Sequence, residues 1–244
     1  MRPCAARKPT GSRVSEDDEI ARIRAVYARW DERGLRSGPI QEASRRLGDE
    51  RHAITLRLLQ GLLPDIEHPR ILDVGCGSGG DLSYFQSVGW AADRLAGVDL
   101  LSSRLEAARV ACPGVDLQLT HGSELPFPDG SFEVATASTV FSSILDIATR
   151  RALFAEMERV VCSGGLVLIY DFIVRKPTNS SVIAMPLQRL AELGRPPDGS
   201  VRVSPLLHAV AAGSAVHRRL ADVAMRTVVR THRLSYWRKP SGAD

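Results

Sequence analysis

Apolar residues recur three or four positions apart at Ile20, Ile23, Val26, Tyr27 and Trp30, with Ser15 and a run of acids just before them. That pattern predicts a capped amphipathic helix packed on a core. The Gly34 to Gly38 stretch breaks it, and a second helix over roughly Gln41 to Leu63 presents Ile54, Leu56, Leu58, Leu59 and Leu62 before Pro64 ends it. Short apolar runs then alternate with helical periodicity: strands at Arg70–Val74, Arg94–Asp99, Val115–Thr120 and Phe132–Ala137, and helices at Gly80–Val88 and Ser102–Ala111. Asp146 is placed to cap a helix from Ile147 to Val161, and Gly164-Gly165 leads into the apolar strand Leu166–Tyr170. Regular alternation of this kind predicts an α/β fold around a parallel sheet. Past Lys176, Pro177, Pro186, Pro196, Pro197 and Pro205 punctuate two helices near 185–193 and 205–225, a lid-like insertion spanning about 176–226, before a last strand near Val229–Trp237.

The stretch Ile71-Leu-Asp-Val-Gly75-Cys-Gly77-Ser-Gly79-Gly80 ends a strand in a glycine-rich turn and opens a helix at Asp81. Glycines reach φ values closed to other residues, and the helix start offers unpaired N–H groups, so a nucleotide-like ligand is the first expectation. Two cofactor classes compete, because Gly75, Gly77 and Gly80 also satisfy the dinucleotide pattern G-x-G-x-x-G. Asp99, ending the next strand, accepts ribose hydroxyls in either class. Asp73 breaks the tie: a carboxylate inside the first strand needs a positive partner, which S-adenosylmethionine supplies and a pyrophosphate does not.

The motifs resemble the class I S-adenosylmethionine-dependent methyltransferases, small-molecule branch, whose first motif D/E-x-G-x-G-x-G appears as Asp73-Val-Gly75-Cys-Gly77-Ser-Gly79. The resemblance continues through Gly97-Val-Asp99-Leu100, Glu124-Leu-Pro-Phe-Pro-Asp-Gly-Ser-Phe132 and Val160-Val-Cys-Ser-Gly164-Gly165, and so covers roughly 70–175. Thr139-Val-Phe-Ser-Ser-Ile-Leu-Asp146 and Tyr170-Asp-Phe172 are similar to a bacterial subgroup tied to natural-product or surface-glycan biosynthesis. It implies a Rossmann-like sheet of seven strands, mostly parallel, in the order 3-2-1-4-5-7-6, with helices on both faces and the 16–66 helices as an N-terminal extension of a 67–244 methyltransferase domain. It also implies that Asp73 and the Gly75, Cys76, Gly77 and Gly79 loop hold the methionine end, Asp99 the ribose, and Leu100 the adenine. Where the family often has an adenine-binding acid this sequence has His121, followed by Gly122 as the backbone donor.

Ser138 and Thr139 are expected beside the methionine moiety, and Phe141-Ser142-Ser143 facing the methyl-transfer site. Related enzymes often carry histidine near Ser142 and Ser143, and none stands here; nor does Asn/Asp-Pro-Pro-Tyr/Phe follow the fourth strand. An oxygen nucleophile is therefore favoured, with Asp171 at the end of the fifth strand as the candidate base or orienting group, against a helix-cap or Arg175 ion-pair role. Tyr27 is expected to close over the cofactor or to face the core, Tyr170 to be core, and His208 and His217 to be solvated.

The chain has 244 residues, 44% of them apolar, enough for one domain with an appendage. No apolar run approaches the roughly 20 residues of a membrane span, and no secretory signal is visible, so a cytoplasmic protein is expected. Cys4, Cys76, Cys112 and Cys162 have no metal-ligand or disulfide spacing, and no metal is expected. Formal charge is +4 with dispersed arginines and 5% aromatics, a solvated basic face rather than a nucleic-acid surface. Residues 1–15, basic and without acids, read as a disordered tail. The expectation is an enzyme, monomer or homodimer, that transfers a methyl group to a hydroxyl of a secondary metabolite or sugar and releases S-adenosylhomocysteine. Its rivals are a non-catalytic binding protein on the same fold, an NAD(P)-dependent oxidoreductase and an RNA methyltransferase.

Overall fold

Ser15 Oγ accepts the Asp18 amide at 3.1 Å while the Ser15 amide donates back to the Asp18 carboxylate, a reciprocal cap that opens α1 (Glu16–Glu32). The computed structural model describes residues 15–32, 39–174, 179–203 and 231–241, without the side chains of 30–47. The tail before Ser15, the Gly34–Gly38 break, Arg175, the 205–225 helix, His208 and His217 lie outside the described residues. The second helix, α2 (Pro39–Leu62), leads into β1 (Ile71–Val74), α3 (Gly80–Ser87), β2 (Leu95–Asp99), α4 (Ser102–Ala111), β3 (Asp116–Leu119) and β4 (Phe132–Ser138). After these come α5 (Ile147–Val160), β5 (Val161–Phe172), α6 (Leu187–Ala191), β6 (Gly199–Val203) and β7 (His232–Arg238). Among the described residues no helix is long and apolar enough to cross a membrane.

The strands form one sheet in the order β3-β2-β1-β4-β5-β7-β6, as the motifs imply, with β7 antiparallel to β5 and β6 and the remaining pairs parallel. Two elements differ from the pattern reading. The fifth strand begins at Val161 rather than Leu166, with Gly164 at φ 77 and a register shift against β4 that absorbs the glycine pair as a bulge. Gly199–Val203, inside the stretch read as lid-like, is the edge strand β6; its shortness and the prolines before it mask it in the sequence.

Side-chain alternation along the strands divides the core in two. Ile71, Val134, Leu166 and Leu168 pack with Leu59, Leu82, Phe85 and Leu105 from α2, α3 and α4. Leu72, Val74, Ala135, Val167 and Ile169 pack on the other face with Ile23 of α1 and Leu153, Phe154 and Met157 of α5. Each such side chain, fully buried, contributes roughly 1.5–3 kcal/mol. Trp237 closes this second layer, stacked edge-on to Phe154 at 5.0 Å with its indole N–H on the Arg195 carbonyl. The strand order reverses between β1 and β4, and in open α/β sheets that reversal leaves a crevice at the carboxyl ends of the strands.

Asp146 caps α5 as expected, accepting the Thr149 amide at 2.7 Å and the Thr149 hydroxyl at 2.9 Å. Asp146→Ala is expected to lower stability by about 1 kcal/mol, read as a lower urea midpoint with an unchanged slope.

Candidate active site

At the reversal point the chain leaves β1 through Gly75, whose φ of 72 admits few other residues. A Cβ there would also lie 2.5 Å from Val140, closing the crevice against the segment after β4. The loop is tied to its neighbour strand: the Gly75 and Cys76 amides donate to the Val98 carbonyl at 2.8 and 2.9 Å. Asp99 completes the tie, its two oxygens accepting the Gly77 amide at 2.8 Å and the Leu101 amide at 2.9 Å. Its carboxylate, 7% exposed, borders a cavity of about 250 Å³.

Across that cavity the chain leaves β4 at Ser138 and turns through Thr139, at φ 58 the only positive-φ residue other than glycine among those described. Strain of this kind costs on the order of 1–3 kcal/mol and is held by the Thr139 amide donating to the Tyr170 carbonyl at 2.7 Å. Ser143 follows, its Oγ 3.3 Å from the Thr139 carbonyl and 3.1 Å from Tyr27 Oη. Tyr27 belongs to α1, which lies over the opening. Glu19, buried, accepts Arg22 and the Leu145 amide; Arg22 also donates to the Ser143 carbonyl, and Glu16 accepts the Ser123 amide and hydroxyl at 2.6 Å. The Arg104 guanidinium sits 4.2 Å from the centre of the Tyr27 ring.

A charged cluster lies behind the glycine loop. Asp81, in the first turn of α3, pairs with Arg51 and lies 2.9 Å from His52 Nε2, both from α2, and accepts the Ser138 hydroxyl at 3.0 Å. Burial works to raise its pKa, but the Arg51 charge and the His52 and Ser138 hydrogen bonds outweigh it and bring it down to about 2. Asp73 is 3% exposed and hydrogen-bonds the Thr136 hydroxyl at 3.1 Å; burial, then the Asp81 charge, hold it well above the usual carboxylate range.

Of the residues singled out in the sequence, Tyr27, Gly75, Asp99, Leu100, Gly122 and Ser138 line the cavity together. Gly77 contributes through its amide on Asp99, and Gly79 through close packing, since a Cβ there would meet Cys112 Sγ at 2.9 Å. Cys76 is buried, and desolvation pushes its thiol up, away from nucleophilic reactivity. Asp73 lies on the α2–α4 face of β1, opposite the cavity, where the Arg51 charge works to lower its pKa against burial and Asp81. His121 is exposed in an adjoining groove with Glu16 and Asp17, its ring 3.5 Å from Arg24. Asp171, 2% exposed, accepts the Ser142 and Phe172 amides at 2.8 Å and is not part of the cavity wall. Arg51, His52, Arg104 and the Glu19–Arg22 pair have no sequence motif; Asp81 alone was visible, as an acid directly after the glycines. Among the described residues no group of three His, Cys, Asp or Glu is placed to hold a metal.

Residues 72–169, which include the glycine loop, Asp99 and β4, match the family described as "Methyltransferase domain". This part of the chain is similar to the class I S-adenosylmethionine-dependent methyltransferases. Over 109 residues it is 33% identical to a ubiquinone/menaquinone biosynthesis C-methyltransferase of Citrifermentans bemidjiense, covering 42% of this chain and 45% of that protein. Over 133 residues it is 30% identical to an O-methyltransferase of Penicillium expansum, covering 52% of this chain and 45% of that one. The matches thus span less than half the length of these curated relatives. In fold, the domain is similar to a phosphoethanolamine N-methyltransferase of Haemonchus contortus solved with S-adenosylmethionine, with a TM-score of 0.55 and 19% identity over 76% of this chain and 52% of that one. The residues of the cavity fit that cofactor: a carboxylate held at the lip with acceptor capacity left, bare backbone at Gly75, and apolar Leu100 and Leu101 beside it.

The sign of the Asp81 pH dependence follows from its direction. Its folded pKa is depressed, so its stabilisation is fully present above the usual 3.8 and is lost as pH falls through about 2. Asp81→Asn is expected to cost about 3 kcal/mol at neutral pH by leaving Arg51 uncompensated. Urea unfolding of both proteins at pH 7 and pH 3 checks it, with the difference smaller at the lower pH.

Proposed function

We propose that this protein is an S-adenosylmethionine-dependent methyltransferase acting on a hydroxyl of a small molecule. The observation that carries the reading is Asp99, whose carboxylate is held at the cavity lip by the Gly77 and Leu101 amides and keeps acceptor capacity for vicinal ribose hydroxyls. Leu100 would pack on the adenine and the Gly122 backbone would meet its edge, with Gly75 and Ser138 bordering the methionine end. His121 sits at the rim and contributes no charge to adenine binding. Asp73 acts from behind the loop, through the charge balance it shares with Asp81 and Arg51. When bound, S-adenosylmethionine supplies an electrophilic methyl group.

This chain's own residues orient the acceptor and exclude water. Oxygen is favoured as the nucleophile because the Ser143 hydroxyl past β4 and the Tyr27 hydroxyl of α1 meet at residues that line the cavity. The O-methyltransferase relative supports that reading, while the C-methyltransferase relative favours carbon as the second one. Asp171 is a positioning residue: by accepting the Ser142 amide it fixes the Phe141–Ser143 turn that presents Ser143 to Tyr27. Closure of α1 over the opening removes water from the reacting groups.

Calorimetric titration with S-adenosylmethionine, S-adenosylhomocysteine and NADH in parallel tests the cofactor class. Binding of the adenosyl pair without NADH is expected, and Asp99→Ala is expected to weaken it by roughly 10- to 100-fold. NADH binding alone would return the oxidoreductase reading, and silence from all three the non-catalytic one.

A further inference from the structure

Two polar side chains of β7 are buried without a counterpart. Trp237 joins the α5 side of the sheet, while Leu234 and Tyr236 pack on the α2–α4 side, so alternation along the strand puts Arg233 and Ser235 on the α5 side with Trp237. Ser235 is fully buried and Arg233 is 8% exposed. The Arg233 Nε and the Ser235 Oγ are both sealed from solvent with no hydrogen-bond partner among the described residues. On the edge strand β6, Arg202 stands in register with Arg233 and Ser200 with Ser235, and both of these are exposed. On the other flank Asp171 of β5 is in register with Arg233, but its oxygens take the Ser142 and Phe172 amides.

An arginine in this position has no way to discharge itself. A buried lysine or histidine can shed its proton, whereas a guanidinium stays charged at any ordinary pH. Burial and then the Arg202 charge both push the Arg233 pKa down, and no carboxylate works against them. Like charges directly opposite on antiparallel strands repel, and a buried charge without a partner is strongly unfavourable. We infer that this corner of the sheet, Arg233 and Ser235 with Arg202 and Ser200, is a binding site for an oxyanion: the carboxylate or phosphate group of a small ligand. Guanidinium forks supply charge and paired donors to such a group, and the serine hydroxyls add neutral donors beside them. The ligand approaches over β6, the edge of the sheet, where Ser200 and Arg202 are exposed. None of the four residues lines the cavity beside Asp99, so this is a second site, and it stands independently of the methyltransferase reading.

The test uses the full chain in buffer free of phosphate and carboxylates. Sodium phosphate and sodium acetate are titrated separately, with sodium chloride at matched ionic strength as the control, and followed by NMR of the β6 and β7 amides and by thermal unfolding. Saturable shifts and a raised melting temperature are expected with phosphate, acetate or both and not with chloride; the tighter of the two anions tells a phosphate-bearing ligand from a carboxylate-bearing one. Arg233→Met is expected to be at least as stable as the native protein in the anion-free buffer, because it removes an unpaired buried charge, and to bind the anion at least about tenfold more weakly. Ser235→Ala should weaken binding in the same direction by less. Shifts that chloride reproduces, or an anion affinity unchanged in Arg233→Met, would overturn the inference. So would an Arg233→Met protein that fails to fold, since the guanidinium would then serve the packing of the sheet and not a ligand.

Discussion

The carboxylate of Asp99 is the constraint on which the site depends. It ends β2, yet its two hydrogen bonds reach the loop after β1 and the segment opening α4, so one side chain sets the relative position of three elements. Without it, two amides near the cavity lose their acceptor, and the loop loses a restraint on glycines at positive φ. The Val98 carbonyl, accepting two further amides, places the start of the loop by the same strand. The geometry of the loop is therefore set by β2 as much as by the glycines themselves.

Behind this lip, the opposite face of the sheet carries a second, ionic layer. Asp81 brings Arg51 and His52 from α2 against the glycine loop and reaches Ser138 across it, so the N-terminal helices support the site as well as the core. Asp73 sits in the same layer, its burial tolerable because Thr136 supplies a hydrogen bond and Arg51 a nearby positive charge. The front face is the reverse: there α1 closes the cavity with isoleucines, and its charged residues bind loop backbone rather than other helices.

Much of this was legible in the chain itself. Period and glycine placement predicted the strand–helix alternation, the α1 and α5 caps, and Asp99 with Gly75 at one site, because each is a local consequence of side-chain chemistry. Asp73 shows where local pattern stops: alternation in a four-residue strand says that side chains change face, not which face holds the ligand. Tyr27 and Ser143 meet across 116 positions, and Arg51 meets Asp81 through a helix with no fixed spacing to the loop, so neither pair leaves a sequence signature. Asp171 was legible as a carboxylate at a strand end but not as an acceptor of backbone amides, since that depends on the turn after β4. The β6 strand was hidden by its shortness and by the prolines before it.

The most direct measurement is a crystal structure of the protein with S-adenosylhomocysteine. The account predicts both ribose hydroxyls within hydrogen-bond distance of Asp99, the Gly77 and Leu101 amides still on that carboxylate, and the adenine against Leu100 and Gly122. A nucleoside bound elsewhere, or an Asp99 carboxylate that turns away from it, would contradict the central claim.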